Sequence, residues 1–243
     1  MKVIRLEKVD STNNYAKLNI ENFADKTIVH ALSQTSGRGR LNRSWVDLGE
    51  GNLFMSFVLK PSDVYKEEYS NITQVLSVAL CKVLENYGLF PEIKWPNDVL
   101  IDGKKIAGIL SESVMSGSLL KGIVLGIGVN LNAKSDDLTS IPNKIATSLN
   151  LELGTDINME HFADELISQF FALYDEFLKI GFEYIADDYI ERNCFLNKEL
   201  NVQVFDNVIS GLAKSINDRG ELVLLNEDKE LVLTIGDILW MEH

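Results

Sequence analysis

Two short stretches of this chain gather the residues that do chemistry on anions. One is Gly37-Arg38-Gly39-Arg40; the other runs from Lys94-Trp95-Pro96-Asn97-Asp98 to Asp102-Gly103-Lys104-Lys105. Between them they offer the cations Arg38, Arg40, Lys94, Lys104 and Lys105, glycines that free the backbone, and the Asp98 carboxylate. Such a set suits a site that holds a nucleotide phosphate and a second anion together while they react. Fixed cations offset the repulsion of two anions where charge builds at phosphorus. Arginine and lysine supply that field without moving a proton, so the chemistry needs no histidine base.

Each piece also has a plainer reading. In Gly37-Arg38-Gly39-Arg40-Leu41-Asn42-Arg43 the glycines let backbone N–H groups turn inward and the guanidinium groups bind carboxylate or phosphate in pairs. Its spacing is neither a Walker A motif nor a dinucleotide fingerprint, and by itself it also reads as an exposed turn or an RNA-binding patch. Pro96 fixes its own φ and restricts Trp95, so Lys94, Asn97 and Asp98 sit on a stiff segment suited to metal-assisted phosphate binding. The same pentapeptide could be a structural turn around a buried Trp95. Lys104 and Lys105 follow a surface turn, where lysines are usually solvated. Ser11-Thr12-Asn13 reads as a helix N-cap run. His30, His161 and His243 lack metal-ligand spacing, and Cys81 and Cys194 read as small buried hydrophobes. The spacing of these residues shows no Ser/His/Asp or Cys/His arrangement.

The elements that must position these residues are legible from periodicity. Residues 3–6 read as a strand, followed by a helix from the 11–13 cap to about Phe23 and a buried strand over 27–32 ending at Gln34. After the glycine-rich loop come a strand at 53–59 and a helix from Asn71 to Tyr87, with Gly88 as its C′ residue. Asp102-Gly103 between apolar runs predicts a type I′ hairpin joining 99–101 to 105–110. A buried strand follows at 122–131. Residues 159–180 form an amphipathic helix with Phe162, Leu166, Phe170, Tyr174 and Phe177 on one face, stopped by Gly181; a shorter helix covers 182–192. From Asn197 short alternating strands take over at 200–204, 209–216, 222–225 and 231–235. The expectation is an α+β domain on a mixed sheet over residues 1–195, then a small β-barrel over 196–243.

Of the 243 residues, 46% are hydrophobic and 24% charged, which is ordinary for a soluble protein. No apolar run reaches the roughly 18 residues of a membrane span, and the N-terminus lacks a signal-peptide core. A cytoplasmic location is expected. The net charge of −13 is uneven, since residues 151–243 carry 6 basic against 20 acidic side chains. That excess argues against general nucleic-acid binding, where phosphate neutralisation supplies most of the affinity. It reads as a solvated surface that aids solubility, or as a docking surface.

With Ser11-Thr12-Asn13, Gln34, the arginine-glycine loop, Arg43, Trp45, Lys94-Trp95-Pro96-Asn97-Asp98, residues 105–110 and Gly126-Ile127-Gly128-Val129-Asn130 in that order, the chain resembles the biotin–protein ligases. The likeness covers residues 9–131. It implies a catalytic domain related to class II aminoacyl-tRNA synthetases and an SH3-like C-terminal domain. It also implies two steps: biotin and ATP, with Mg²⁺, give biotinyl-5′-AMP, and a lysine of a biotin carboxyl carrier domain then takes the biotinyl group. By matching position, Ser11, Thr12, Asn13 and Gln34 would contact the biotin rings, with Arg38, Gly39, Arg40 and Lys105 around its carboxylate and the phosphate. Arg38, Arg40, Arg43, Trp45, Lys94, Asn97 and Asn130 would bind the nucleotide. Arg40, Lys94 and Lys105 would be catalytic, and Asp98 would help place Mg²⁺.

The mixed anhydride hydrolyses if water reaches it, so residues 36–45 are expected to order over it. The family often has glycine where this chain has Asn42, a residue that tolerates positive φ. With about two residues before the first strand, no DNA-reading module is expected there, which fits the monofunctional members. A homodimer through a sheet edge is open. Lipoate or octanoate ligases share the fold and the adenylate chemistry, and a biotin or adenylate sensor that binds without transfer is the non-enzymatic alternative.

Overall fold

The computed structural model describes residues 2–41, 43–49, 51–139, 145–227 and 229–239. Asn42 and His243 therefore lie outside the described residues. The larger sheet is built from β1 (Lys2–Val9), β2 (Thr27–Gln34), β3 (Leu53–Leu59), β4 (Pro91–Lys94), β5 (Asp98–Ile101), β6 (Lys104–Ser116) and β7 (Leu119–Val129). Their order is β1-β2-β3-β7-β6-β5-β4, with β1 and β2 parallel and the other pairs antiparallel. The sheet is mixed, as expected. β4 has no counterpart in the sequence reading. It is short, and residues 192–194 flank it: Ile93 N–H donates to the Arg192 carbonyl at 2.7 Å and the Cys194 N–H to the Ile93 carbonyl at 3.1 Å.

The helices are α1 (Thr12–Leu18), α2 (Ile72–Asn86), α3 (Ser135–Thr139), α4 (Leu149–Leu153), α5 (Met159–Ile180) and α6 (Ala186–Glu191). Ser11 caps α1 in extended conformation, its hydroxyl accepting from the Asn14 N–H. The helix does not reach Phe23. It ends at Asn19, whose N–H turns back to the Lys17 and Tyr15 carbonyls, and a 3₁₀ turn (Ile20–Asn22) follows. The expected 182–192 helix likewise divides into a 3₁₀ turn (Phe182–Ile185) and α6. The Asp102-Gly103 hairpin has φ of 47° and 72°, as a type I′ turn requires.

Both faces of β3 are covered, which is why it is buried from end to end. On one face Met55, Phe57, Leu59, Leu125 and Ile127 pack with α2 and α5 in the main core. Phe57 and Phe170 meet with ring centroids 4.5 Å apart, an aromatic contact worth about 1 kcal/mol beyond its area. On the other face Ala16 of α1 and Ile20 close over Val29, Val58 and Val124. α1 covers only part of that face, and the rest is left open for a site.

The C-terminal strands β8 (Glu199–Val204), β9 (Asn207–Ile216), β10 (Leu222–Asn226), β11 (Lys229–Leu233) and β12 (Asp237–Leu239) form an antiparallel sheet in the order β11-β10-β9-β8-β12. Leu200, Val202, Leu222 and Ile238 join the same buried cluster as α2 and α5. Polar contacts add to the join: the Asn71 and Gln74 amides donate to the Arg219 and Gly220 carbonyls, each at 2.8 Å. Cys81 and Cys194 are buried and unpaired. Among the described residues no helix is long and apolar enough to cross a membrane.

Candidate active site

Side chains alternate across a strand, so the open face is read in even numbers along β7 and β6. Across the sheet, Ser56 stands beside Gly126 and Leu110, and Phe54 beside Gly128 and Gly108. Glycines at 108, 126 and 128 leave a floor without side chains. Two groups lie on it. The Trp45 indole covers Gly108 and Gly128, where a Cβ would come 2.7 Å and 2.5 Å from ring atoms. The Asn13 amide covers Gly126, where a Cβ would collide with Oδ1.

The cavity above this floor is about 810 Å³, within the range of small-molecule sites. Ser11, Thr12, Asn13, Gln34, Arg38, Gly39, Arg40, Arg43, Trp45, Lys94, Asn97, Asp98 and Lys105 all line it. Asn130, also expected near the nucleotide, is not among the lining residues. Its buried side chain donates to the Thr147 carbonyl at 3.0 Å and so ties β7 to the segment before α4. Trp95 is buried in the core, and the Trp95–Pro96 peptide is cis.

One end of the cavity is a polar wall built where β2 ends and α1 begins. Gln34 Oε1 accepts from the Thr12 N–H at 2.8 Å and from the Thr12 hydroxyl at 3.2 Å. The Asn13 Nδ2 group donates to Glu112 Oε2 at 2.9 Å and to the Leu110 carbonyl at 3.3 Å, while the Ser56 hydroxyl lies 2.6 Å from Asn13 Oδ1. Those bonds fix which atoms remain for a ligand. Gln34 has its NH₂ end left, a donor; Asn13 has the second lone pair of its oxygen, an acceptor.

The other end is cationic. The loop closes on itself, with the Gly39 N–H donating to the Arg43 carbonyl at 2.7 Å and the Trp45 N–H to the Gly37 carbonyl at 2.9 Å. Its left-handed described residue is Leu41, at φ 50°. Each cation with a described partner meets a carboxylate of the chain. Arg38 is 3.0 Å from Glu112, Lys105 is 2.6 Å from Asp98, and Arg40 and Arg43 are each 3.0 Å from Asp237 on β12. Arg40 also donates to Asn97 Oδ1 at 2.9 Å and to the Gly236 carbonyl at 3.0 Å. Asn97 in turn donates to the Ile109 carbonyl at 2.8 Å, so it serves as a strut between β6 and Arg40. Lys105 lies over the Trp45 ring, 5.4 Å from its centroid.

Burial pushes the Lys94 ammonium below the usual lysine range; Asp98 opposes the shift and Lys105 adds to it. Burial also lowers the Arg40 guanidinium, with Asp237 and Asp98 opposing. Arginine stays charged at neutral pH regardless. The arrangement can therefore hold a long ligand with a polar ring at one end and an anion at the other. Glu112 and Asp237 were not singled out in the sequence: neither lies in a recognisable motif, and their roles appear only through partners far along the chain.

The chain is similar to known proteins in both sequence and fold. The model of the biotin/lipoate A/B protein ligase family matches residues 5–130. A biotin–[acetyl-CoA-carboxylase] ligase of Paracoccus denitrificans is 30% identical over 242 residues, covering 97% of this chain and 99% of the relative. The bifunctional ligase/repressor BirA of Bacillus spizizenii is 30% identical over 228 residues, 93% of this chain and 70% of the relative. The chain spans 62% of the Bacillus subtilis counterpart. The biotin protein ligase of Aquifex aeolicus, solved in complex with biotin and ATP, superposes with a TM-score of 0.81 at 27% identity, over 98% of this chain and 97% of that one.

Proposed function

The chain belongs to the biotin/lipoate A/B protein ligase family, and we propose that it attaches biotin to a lysine of a biotin carboxyl carrier domain through biotinyl-5′-AMP. The observation that carries the choice of biotin is the polar wall. Gln34 offers a donor and Asn13 an acceptor, which suits the N–H and C=O of a cyclic urea. The dithiolane of lipoate and the alkyl chain of octanoate have neither group. They would leave both amides short of a partner, at about 1–3 kcal/mol each.

In the first step a biotin carboxylate oxygen attacks the α-phosphorus of ATP, and the bond to the pyrophosphate oxygen breaks. Arg38, Arg40, Arg43, Lys94 and Lys105 surround the place where the two anions meet, and their field lowers the cost of bringing them together. Substrate anions compete there with Glu112, Asp98 and Asp237. Trp45 offers a flat apolar face to the nucleotide or the adenylate. In the second step the neutral acceptor amine attacks the acyl carbon, the bond to AMP breaks, and the amine loses its proton. Residues 36–45 would order over the anhydride and keep water from it.

Mg²⁺ would arrive with ATP and offset phosphate charge. Among the described residues no group of three His, Cys, Asp or Glu could cage an ion. Mg²⁺ needs only one or two carboxylates when it keeps its waters and rides on phosphates. Asp98 lines the cavity and fits that part. We assign residues 1–195 to the ligase domain and 196–243 to a C-terminal β domain that contributes Asp237 to the site. A cytoplasmic location and a homodimer through a sheet edge belong to the same proposal.

The test is ATP–pyrophosphate exchange with biotin, lipoate or octanoate as the only acid, with and without Mg²⁺. Exchange that depends on biotin and Mg²⁺ is expected. Exchange with lipoate instead would assign the chain to the other branch of the family, and none with any acid would leave a binding protein.

A further inference from the structure

Glu112 sits on β6 opposite Val124, two residues beyond Leu110 on the face that carries the site. Its side chain is 18% exposed and meets three partners from two separate elements. Lys17 of α1 lies 2.7 Å from Oε1, the Arg38 guanidinium 3.0 Å from the same oxygen, and Asn13 Nδ2 2.9 Å from Oε2. Glu112 is not among the residues that line the cavity, whereas Asn13 and Arg38 are. It thus links the polar wall to the cationic loop from behind.

The consequence for Asn13 follows from donor and acceptor counting. A primary amide can turn over and exchange its oxygen for its nitrogen. The Ser56 hydroxyl accepts as well as donates, so it tolerates either orientation. The Leu110 carbonyl and the Glu112 carboxylate can only accept, and both lie on the Nδ2 side. The Leu110 bond is long at 3.3 Å, so the shorter charge-assisted bond to Glu112 dominates. Burial works to raise the Glu112 carboxyl, but bonds from Lys17 and Asn13 and the charges of Lys17 and Arg38 outweigh it and hold it ionised.

We infer that Glu112 is a positioning residue for the ligase reaction: it sets Asn13 to present oxygen, not nitrogen, to the acid's ring, and it docks Arg38 at the anion end. The inference rests on the biotin ligase reading given above. The two duties use different oxygens, Oε2 for Asn13 and Oε1 for Lys17 and Arg38, which also donates to Asn14 Oδ1 at 2.9 Å. In Glu112→Gln the cations take the one remaining oxygen, which turns the new amide nitrogen toward Asn13 and favours the wrong Asn13 orientation; Glu112→Ala leaves Asn13 only the long Leu110 bond.

Calorimetric titration of the purified full chain with biotin alone, without nucleotide, tests the first duty. Glu112→Ala and Glu112→Gln should both bind biotin at least about tenfold more weakly than wild type. The KM for ATP in pyrophosphate exchange should rise in both variants. A role in fold stability alone would lower the thermal midpoint and leave the biotin affinity of the folded protein unchanged. That result, or wild-type biotin affinity in Glu112→Gln, overturns the inference while the ligase reading stands. A wild-type chain with no affinity for biotin would overturn both.

Discussion

A methyl group on Gly128 would stand 2.5 Å from Cε2 of the Trp45 indole. The strand must therefore be bare at this point for the ring to lie on it, and the cross-strand Gly108 has the same relation to the ring edge at 2.7 Å. Trp45 is held by sheet geometry below and by Lys105 beside it. Its position is a joint property of the loop, β6 and β7.

Gly128→Ala should lift the indole while leaving the fold intact, because the glycine is extended backbone that alanine can also adopt. The expected outcome is a KM for ATP raised about tenfold or more, with biotin affinity in the absence of nucleotide nearly unchanged. Exchange kinetics and biotin titration on one preparation check the split.

Gly126→Ala acts at the other end of the floor. Its methyl group would collide with Asn13 Oδ1, and Asn13 is tied to Glu112, Leu110 and Ser56. Biotin affinity should fall about tenfold or more, as expected when a buried polar network loses its geometry. ATP affinity without biotin should stay close to wild type, the reverse of the Gly128 variant.

Asp237 holds Arg40 and Arg43 to β12 with a side chain only 12% exposed. Asp237→Asn removes the charge that anchors the loop, and Arg40→Gly removes the anchored group itself. Both should release biotinyl-5′-AMP into solution faster than wild type, by about tenfold or more. Chromatography of free adenylate after a single turnover measures this. A leak in the Arg40 variant without one in the Asp237 variant would show that the C-terminal strand does not govern the loop.

His30 is 4% exposed on β2, and its Nε2 has no hydrogen-bond partner. Burial pushes its imidazolium below the ordinary value of 6.5; Glu160 opposes the shift and Arg5 adds to it. The folded state thus favours neutral His30, and the unfolded chain takes up a proton first as pH falls. The contribution to stability is complete above 6.5 and is lost as pH falls from there through the depressed folded value. Denaturant titrations at pH 7.5 and 5.5 should show wild type losing more stability than His30→Asn. Equal losses would mean that His30 does not titrate on unfolding.

Much of this was legible locally. β2, β3, α2, α5 and the Asp102-Gly103 hairpin were readable because each is written in a short window: a run of buried residues, a 3.6-residue period, or a turn that demands positive φ. The Ser11 cap was visible for the same reason, although Thr12 and Asn13 have a second duty in the cavity. Misses fell where short-range competition decides. Asn19 ends α1 early, and β4 is too short to show a period.

By itself, then, the sequence determined the elements and the inventory of reactive groups, because propensity and periodicity act over a few residues. It also put the cations Arg38, Arg40, Lys94 and Lys105 into two short stretches. Tertiary structure decided what each of them faces. Arg40 meets Asp237 across 197 positions and Asn13 meets Glu112 across 99. Asn130, close in sequence to the bare floor, turns instead to Thr147. Such contacts depend on strand order and register, which place Gly128 beside Gly108 and Glu112 beside Val124, and no local pattern encodes them.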